Sequence, residues 1–159
     1  MHHATINEMK EYITHNTLKT KKIAKILIKD ILTRRKKSYA TVLGLYGDLG
    51  SGKTNFAQTV AAELGVKETV PSPTFIIERI YKIKKSRFKH FIHIDAYRLK
   101  NESELRHIGW DEIIKNQNNL ILVEWANNIE KTLPKDAIKI YFEHAGENTR
   151  RIRIMNQEL

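Results

Sequence analysis

Eight consecutive residues, Gly47-Asp48-Leu49-Gly50-Ser51-Gly52-Lys53-Thr54, set glycines, a lysine and a hydroxyl at a spacing suited to gripping phosphate. The glycines let the backbone turn with its N–H groups facing inward, an anion nest to which a following helix N-terminus adds partial positive charge. From that position Lys53 can reach β and γ phosphates as a point charge, and the Thr54 hydroxyl can coordinate Mg²⁺. Tyr39 to Tyr46 (YATVLGLY) is a continuous apolar run of the kind buried on both faces of a sheet. After the loop, Phe56, Val60 and Leu64 recur at helical spacing from Asn55 to Leu64, with Gly65 as a stop. A glycine-rich turn that binds nothing is the bland alternative. Chance occurrence of the pattern in this length is below about 1%, and the strand–loop–helix setting favours a nucleoside triphosphate site.

A phosphate loop needs a carboxylate to manage Mg²⁺, usually at the tip of a neighbouring parallel strand. Asp95 ends Phe91-Ile92-His93-Ile94, and Glu124 ends Leu120-Ile121-Leu122-Val123. Each could be merely the first solvated residue after its strand. Two such acids beside a phosphate loop point instead to metal work, because a bound cation offsets the cost of burying them. Glu, the longer side chain, is read as metal-linked and as the candidate general base, with Asp95 in the Mg²⁺ shell; with Lys53 they are the candidate catalytic residues. Trp125, next to Glu124, could stack on a base or partner, or simply pack.

The elements that must position these groups follow from periodicity. Ile23, Ile26, Leu27 and Ile31 mark a basic amphipathic helix within Thr17 to Lys37, able to cover a sheet or, less commonly, to lie on a membrane. Pro71 and Pro73 mark a loop. Phe75 to Ile83 alternates like a strand, Glu102 to Ile114 reads as a helix interrupted at Gly109, and the alternations Ile138/Ile140/Phe142 and Ile152/Ile154 form a hairpin around His144 to Asn148. Interleaved strands and helices without an internal break make residues 1–159 one α/β domain.

Composition adds limits. Lys and Arg number 28 against 18 Asp and Glu, a net charge of +10 that favours polyanionic partners such as RNA, DNA or nucleotides, although a solvated basic surface gives the same count. Cysteine is absent, which excludes disulfides and thiolate chemistry. No apolar run approaches ~18 residues, and Met1 to Tyr12 lacks the apolar middle of a secretory signal, so a cytoplasmic location is expected.

The phosphate loop, Ser72-Pro73-Thr74-Phe75, His93-Ile94-Asp95-Ala96-Tyr97-Arg98-Leu99 and Val123-Glu124-Trp125, in this order and spacing, resemble the successive signatures of the TsaE (YjeE) family. Glu104-Leu105 before Ile108-Gly109 and the late Leu133-Pro134 extend the likeness from about Asn16 to Ile154. The resemblance implies a small P-loop NTPase-like domain, a three-layer sandwich with a central mixed, mostly parallel sheet and a C-terminal antiparallel hairpin. It implies a Mg²⁺-dependent ATPase, slow alone, that serves tRNA N6-threonylcarbamoyladenosine (t6A37) modification by resetting or regulating a TsaD–TsaB complex. That complex performs the transfer and brings tRNA into contact only indirectly. Residue by residue, the resemblance puts Thr17 near the adenine and Thr74 in a nucleotide-responsive segment. Trp125 joins the cluster of Lys53, Thr54, Asp95 and Glu124, and a basic position falls on Arg150 or Arg151. Asn55, on the nucleotide side, stands where the family commonly has a second Thr, and Ala126 where Pro is usual.

Two other functions compete. In a small-molecule phosphotransferase, Asp95 would be the acceptor-hydroxyl base, with Tyr97 and Arg98 as an anion clamp; the absence of an arginine-rich lid segment argues against it. A non-catalytic RNA-binding module would leave the carboxylates unexplained.

Overall fold

The structure, a computed structural model, describes residues 6–68, 70, 77–84 and 86–158. In chain order the elements are β1 (Ile6–Thr14), α1 (Thr17–Thr33), β2 (Thr41–Tyr46), α2 (Lys53–Glu63), β3 (Glu78–Lys82) and β4 (His90–Asp95). They continue with α3 (Ser103–His107), α4 (Trp110–Lys115), β5 (Asn119–Glu124), a 3-10 segment (Ala126–Thr132), β6 (Ile138–Gly146) and β7 (Thr149–Glu158). One seven-stranded sheet runs in the order β1-β7-β6-β2-β5-β4-β3. Its four central strands, β6, β2, β5 and β4, are parallel. The flanks are antiparallel: β7 on β6, β1 on β7, and β3 on β4.

Strand alternation sorts the core into two layers. Leu43 and Leu45 of β2, Leu120 and Leu122 of β5 and Phe91 of β4 pack under α1 and α2, against Ile23, Leu27, Phe56 and Val60. Val42, Ile121, Val123, Ile92 and Ile94 face the other way, onto Leu105, Trp110, Ala126 and Ile129. This is the expected α/β three-layer sandwich, parallel at its centre. By the same parity His93 and Asp95 share the face of Phe91, and Glu124 that of Leu122, so all three lie on the α2 side.

The structure sets several boundaries more sharply than the sequence does. The first helix, expected within Thr17 to Lys37, ends at Thr33, where Arg34 turns extended (ψ 159°). The break expected at Gly109 is present: the chain passes through a left-handed conformation there (φ 78°) between α3 and α4. The strand expected from Phe75 begins at Glu78; Phe75 and Ile76 lie outside the described residues. The hairpin turn narrows to Glu147 and Asn148, with an irregular register between His144 and Gly146. One element was not expected at all. β1 pairs with β7 from Ile6 to Thr14, yet Met9 and Ile13 stay exposed, so its residues show no clean apolar alternation. Among the described residues no helix is long and apolar enough to cross a membrane.

Candidate nucleotide site

The phosphate loop leaves the C-terminal end of β2, at the middle of the sheet, and enters α2 at Lys53. Gly47, Gly50 and Gly52 all take positive φ. Gly47 is the most constrained: at φ 144° a Cβ would sit 2.5 Å from the Phe142 carbonyl oxygen, so the loop is pressed against β6. Leu49 stands exposed at the loop tip, with Asp48 exposed beside it, while Ser51 is buried.

Lys53 is buried, and its Nζ donates to the carbonyls of Gly47 (2.5 Å) and Asp48 (2.7 Å). Burial pulls its ammonium below the ordinary lysine range, against the opposing fields of Glu124, Asp48 and Asp95. The same ammonium lies 4.2 Å from the centroid of the Trp125 ring. Trp125 is held at φ 57°, alone among the described non-glycine residues in taking positive φ, and its ring packs against Tyr97 with centroids 4.9 Å apart. Trp125 therefore roofs the lysine and packs on Tyr97. The Tyr46 hydroxyl donates to Glu130, which also takes the Lys139 ammonium, fastening the end of β2 to the segment that follows Trp125.

Asp95 and Glu124 are register partners at the C-terminal ends of adjacent parallel strands. Thr54 Oγ1 donates to Glu124 Oε1 at 3.1 Å, so the hydroxyl that ends the loop meets the strand-tip carboxylate directly. Burial pushes the Asp95 carboxyl above its usual range; the Tyr97 backbone N–H, which donates to Oδ1 at 2.9 Å, opposes this, and neighbouring Glu124 adds to it. Among the described residues no three His, Cys, Asp or Glu cluster to form a self-sufficient metal site. A hydroxyl and two adjacent carboxylates instead suit Mg²⁺, a hard ion that keeps waters and shares its shell with phosphate oxygens. A cation there would relieve the like-charge contact between Asp95 and Glu124.

On the other flank of the loop lies a cleft of about 260 Å³ lined by Thr14, His15, Asn16, Thr17, Thr20, Gly50, Ser51, Gly52, Asn55, Asn148 and Arg150. Thr17 opens α1, whose first turn is capped by Asn16: the Lys19 backbone N–H donates to its Oδ1 at 2.9 Å. The buried Asn55 Oδ1 has no hydrogen-bond partner among the described residues and can accept an N–H from a ligand. Arg150 lines this cleft, whereas Arg151, one residue on and therefore on the opposite face, reaches Glu11 and Glu143 at 3.8 and 3.6 Å. The structure thus separates the two arginines that the sequence left in register doubt. Thr74 lies outside the described residues.

Sequence reasoning passed over four contributors. His15, Asn16 and Asn148 line the cleft from turns whose sequence carries no motif. His93 donates or accepts at Glu124 Oε2 across 3.0 Å with both side chains buried. Its signal was present, a polar residue inside an apolar strand two positions before Asp95 and so on the same face.

Comparison with known proteins identifies the family and relatives of this chain. Residues 14–152 match the family described as threonylcarbamoyl adenosine biosynthesis protein TsaE. A Bacillus subtilis protein named tRNA threonylcarbamoyladenosine biosynthesis protein TsaE is 40% identical over 139 residues, 87% of this chain and 80% of its own. A Rickettsia felis protein of the same name is 35% identical over 139 residues, 87% of this chain and 75% of its own. The crystal structure of Bacillus subtilis YdiB superposes with a TM-score of 0.74 at 30% identity, covering 98% of this chain and 90% of that one. A P-loop α/β domain whose sequence matches over this much of its length belongs to the TsaE family.

Proposed function

We propose that this chain is a Mg²⁺-dependent ATPase of tRNA N6-threonylcarbamoyladenosine biosynthesis, acting in the cytoplasm on a TsaD–TsaB-type complex and meeting tRNA through it. The observation that carries the ATPase reading is the 3.1 Å bond from Thr54 to Glu124, which joins a phosphate-gripping loop to a carboxylate able to accept a proton. Family membership supports the pathway.

In this reading the loop amides and Lys53 hold the β and γ phosphates, while the cleft with Thr17, Asn55 and Arg150 takes the nucleoside. Lys53 exchanges neutral carbonyl acceptors for phosphate oxygens, a stronger charge-assisted pairing. Thr54, Asp95 and Glu124 would hold Mg²⁺, which neutralises charge developing on the phosphates. Glu124 takes the proton of the attacking water as its oxygen bonds to the γ phosphorus and the bond to the β–γ bridging oxygen breaks, giving ADP and phosphate. With Arg150 on the nucleoside side and Arg151 paired to acids, neither is set to act as an arginine finger, which fits slow turnover by the isolated chain.

The test is nucleotide titration calorimetry with and without Mg²⁺, together with phosphate release. Glu124→Ala should keep nucleotide affinity within a few-fold and lose about 10²- to 10⁴-fold in turnover, the range for a lost general base. Unchanged turnover would reduce Glu124 to a structural role. Phosphate delivered to a nucleoside or sugar alcohol would replace the ATPase reading by a phosphotransferase.

A further inference from the structure

His93 is a histidine where the fold asks for an apolar side chain. It is fully buried on β4, its ring stacked on Phe91 with centroids 6.1 Å apart and Leu122 its register partner on β5. Nε2 is 3.0 Å from Glu124 Oε2, and Nδ1 finds no partner among the described residues. An orphaned buried nitrogen costs stability that a phenylalanine in the same slot would not. The ring's polar contact with Glu124 is what an apolar replacement would lack.

We propose that His93 is a positioning residue for Glu124. With hydrogen on Nε2 the ring donates to Oε2 and fixes one carboxylate oxygen from beneath. The other oxygen, Oε1, is thereby the one presented to Thr54 and the phosphate loop. A glutamate has three rotatable bonds, and the ring and the Thr54 hydroxyl grip it from two sides. This is the supporting contact a proton acceptor needs in order to stay aimed at one point. The proposal rests on the ATPase reading above for its kinetic consequence, and not for the contact itself.

The experiment compares wild type, His93→Phe and His93→Gln as full chains. His93→Phe keeps a ring in the slot and removes the donor; His93→Gln returns an N–H near the place of Nε2. Phosphate release should show kcat lowered about 10- to 100-fold in His93→Phe with KM within about twofold. ADP affinity measured in EDTA should be unchanged, and His93→Gln should recover most of the loss. Independently, ¹H–¹⁵N spectra of the nucleotide-free chain should show His93 as the Nε2–H tautomer, with the signal shifted in Glu124→Ala. A His93→Phe protein as fast as wild type overturns the proposal. So do equal losses in both variants, which would mean the ring's shape matters and its donor does not, or an Nδ1–H tautomer. If His93→Phe does not fold, His93→Gln and the tautomer decide. If wild type itself neither binds nor hydrolyses ATP, the ATPase reading fails while the spectra still decide the His93–Glu124 contact.

Discussion

At the scale of single residues, the loop divides into positions that hold the fold and positions that serve the ligand. Gly47→Ala drives a Cβ into the Phe142 carbonyl at a backbone angle L-residues avoid, and should cost about 1–3 kcal/mol or more in a denaturant melt. Lys53 is the opposite case. Its depressed pKa means that the charged form costs the free fold stability at any pH below that value, a cost that fades as pH rises towards the ordinary lysine range. Lys53→Met should therefore melt at pH 7 no lower than wild type while losing nucleotide binding by calorimetry; a clear drop in melting temperature would show that the carbonyl contacts outweigh burial. The phosphate loop and both strand-tip acids were legible in sequence because spacing alone carries them. His93 left a polar signal inside an apolar strand, but its role is not legible until its partner 31 positions away is known.

At the scale of elements, the central strands were plain because they are apolar on both faces, and β1 was hidden because it is an edge strand closed on one side only. Its pairing with β7 matters to the cleft: β1 delivers the chain to Thr14, His15 and the Asn16 cap, which place Thr17 beside the loop. Asn16→Ala removes the cap acceptor and should lower stability by about 1 kcal/mol in a urea titration. Because Thr17 begins that helix, nucleotide affinity should fall with it while kcat holds; an unchanged affinity would separate the α1 terminus from the ligand. The break at Gly109 was visible as a glycine in a helical pattern, whereas the end of α1 at Thr33 carried no stop residue.

At the scale of the molecule, the sheet order puts the Thr17–Arg150 cleft on the β6–β7–β1 side of the loop and the acids on the β5–β4 side, so the proposed hydrolysis and base recognition would occupy opposite flanks of one central strand. The net charge of +10 is spread over this frame, with α1 carrying exposed Lys19, Lys21, Lys22, Lys25 and Lys29. Capture of a TsaD–TsaB-type pair should depend on ATP and be lost in Lys53→Ala, as read by pulldown. If the lysines also help that complex hold tRNA, replacing them should flatten the salt dependence of tRNA affinity; an unaltered slope assigns them to solubility.

The indole at Trp125 has one further consequence. The chain has two tryptophans, and Trp110 is buried in the core. Trp125 is instead quenched or brightened by whatever sits beneath it, which in the free chain is an ammonium 4.2 Å away. An anion that draws that ammonium off the ring should alter the emission of Trp125 more than that of buried Trp110, so fluorescence on adding phosphate or nucleotide reads the proposed capture directly.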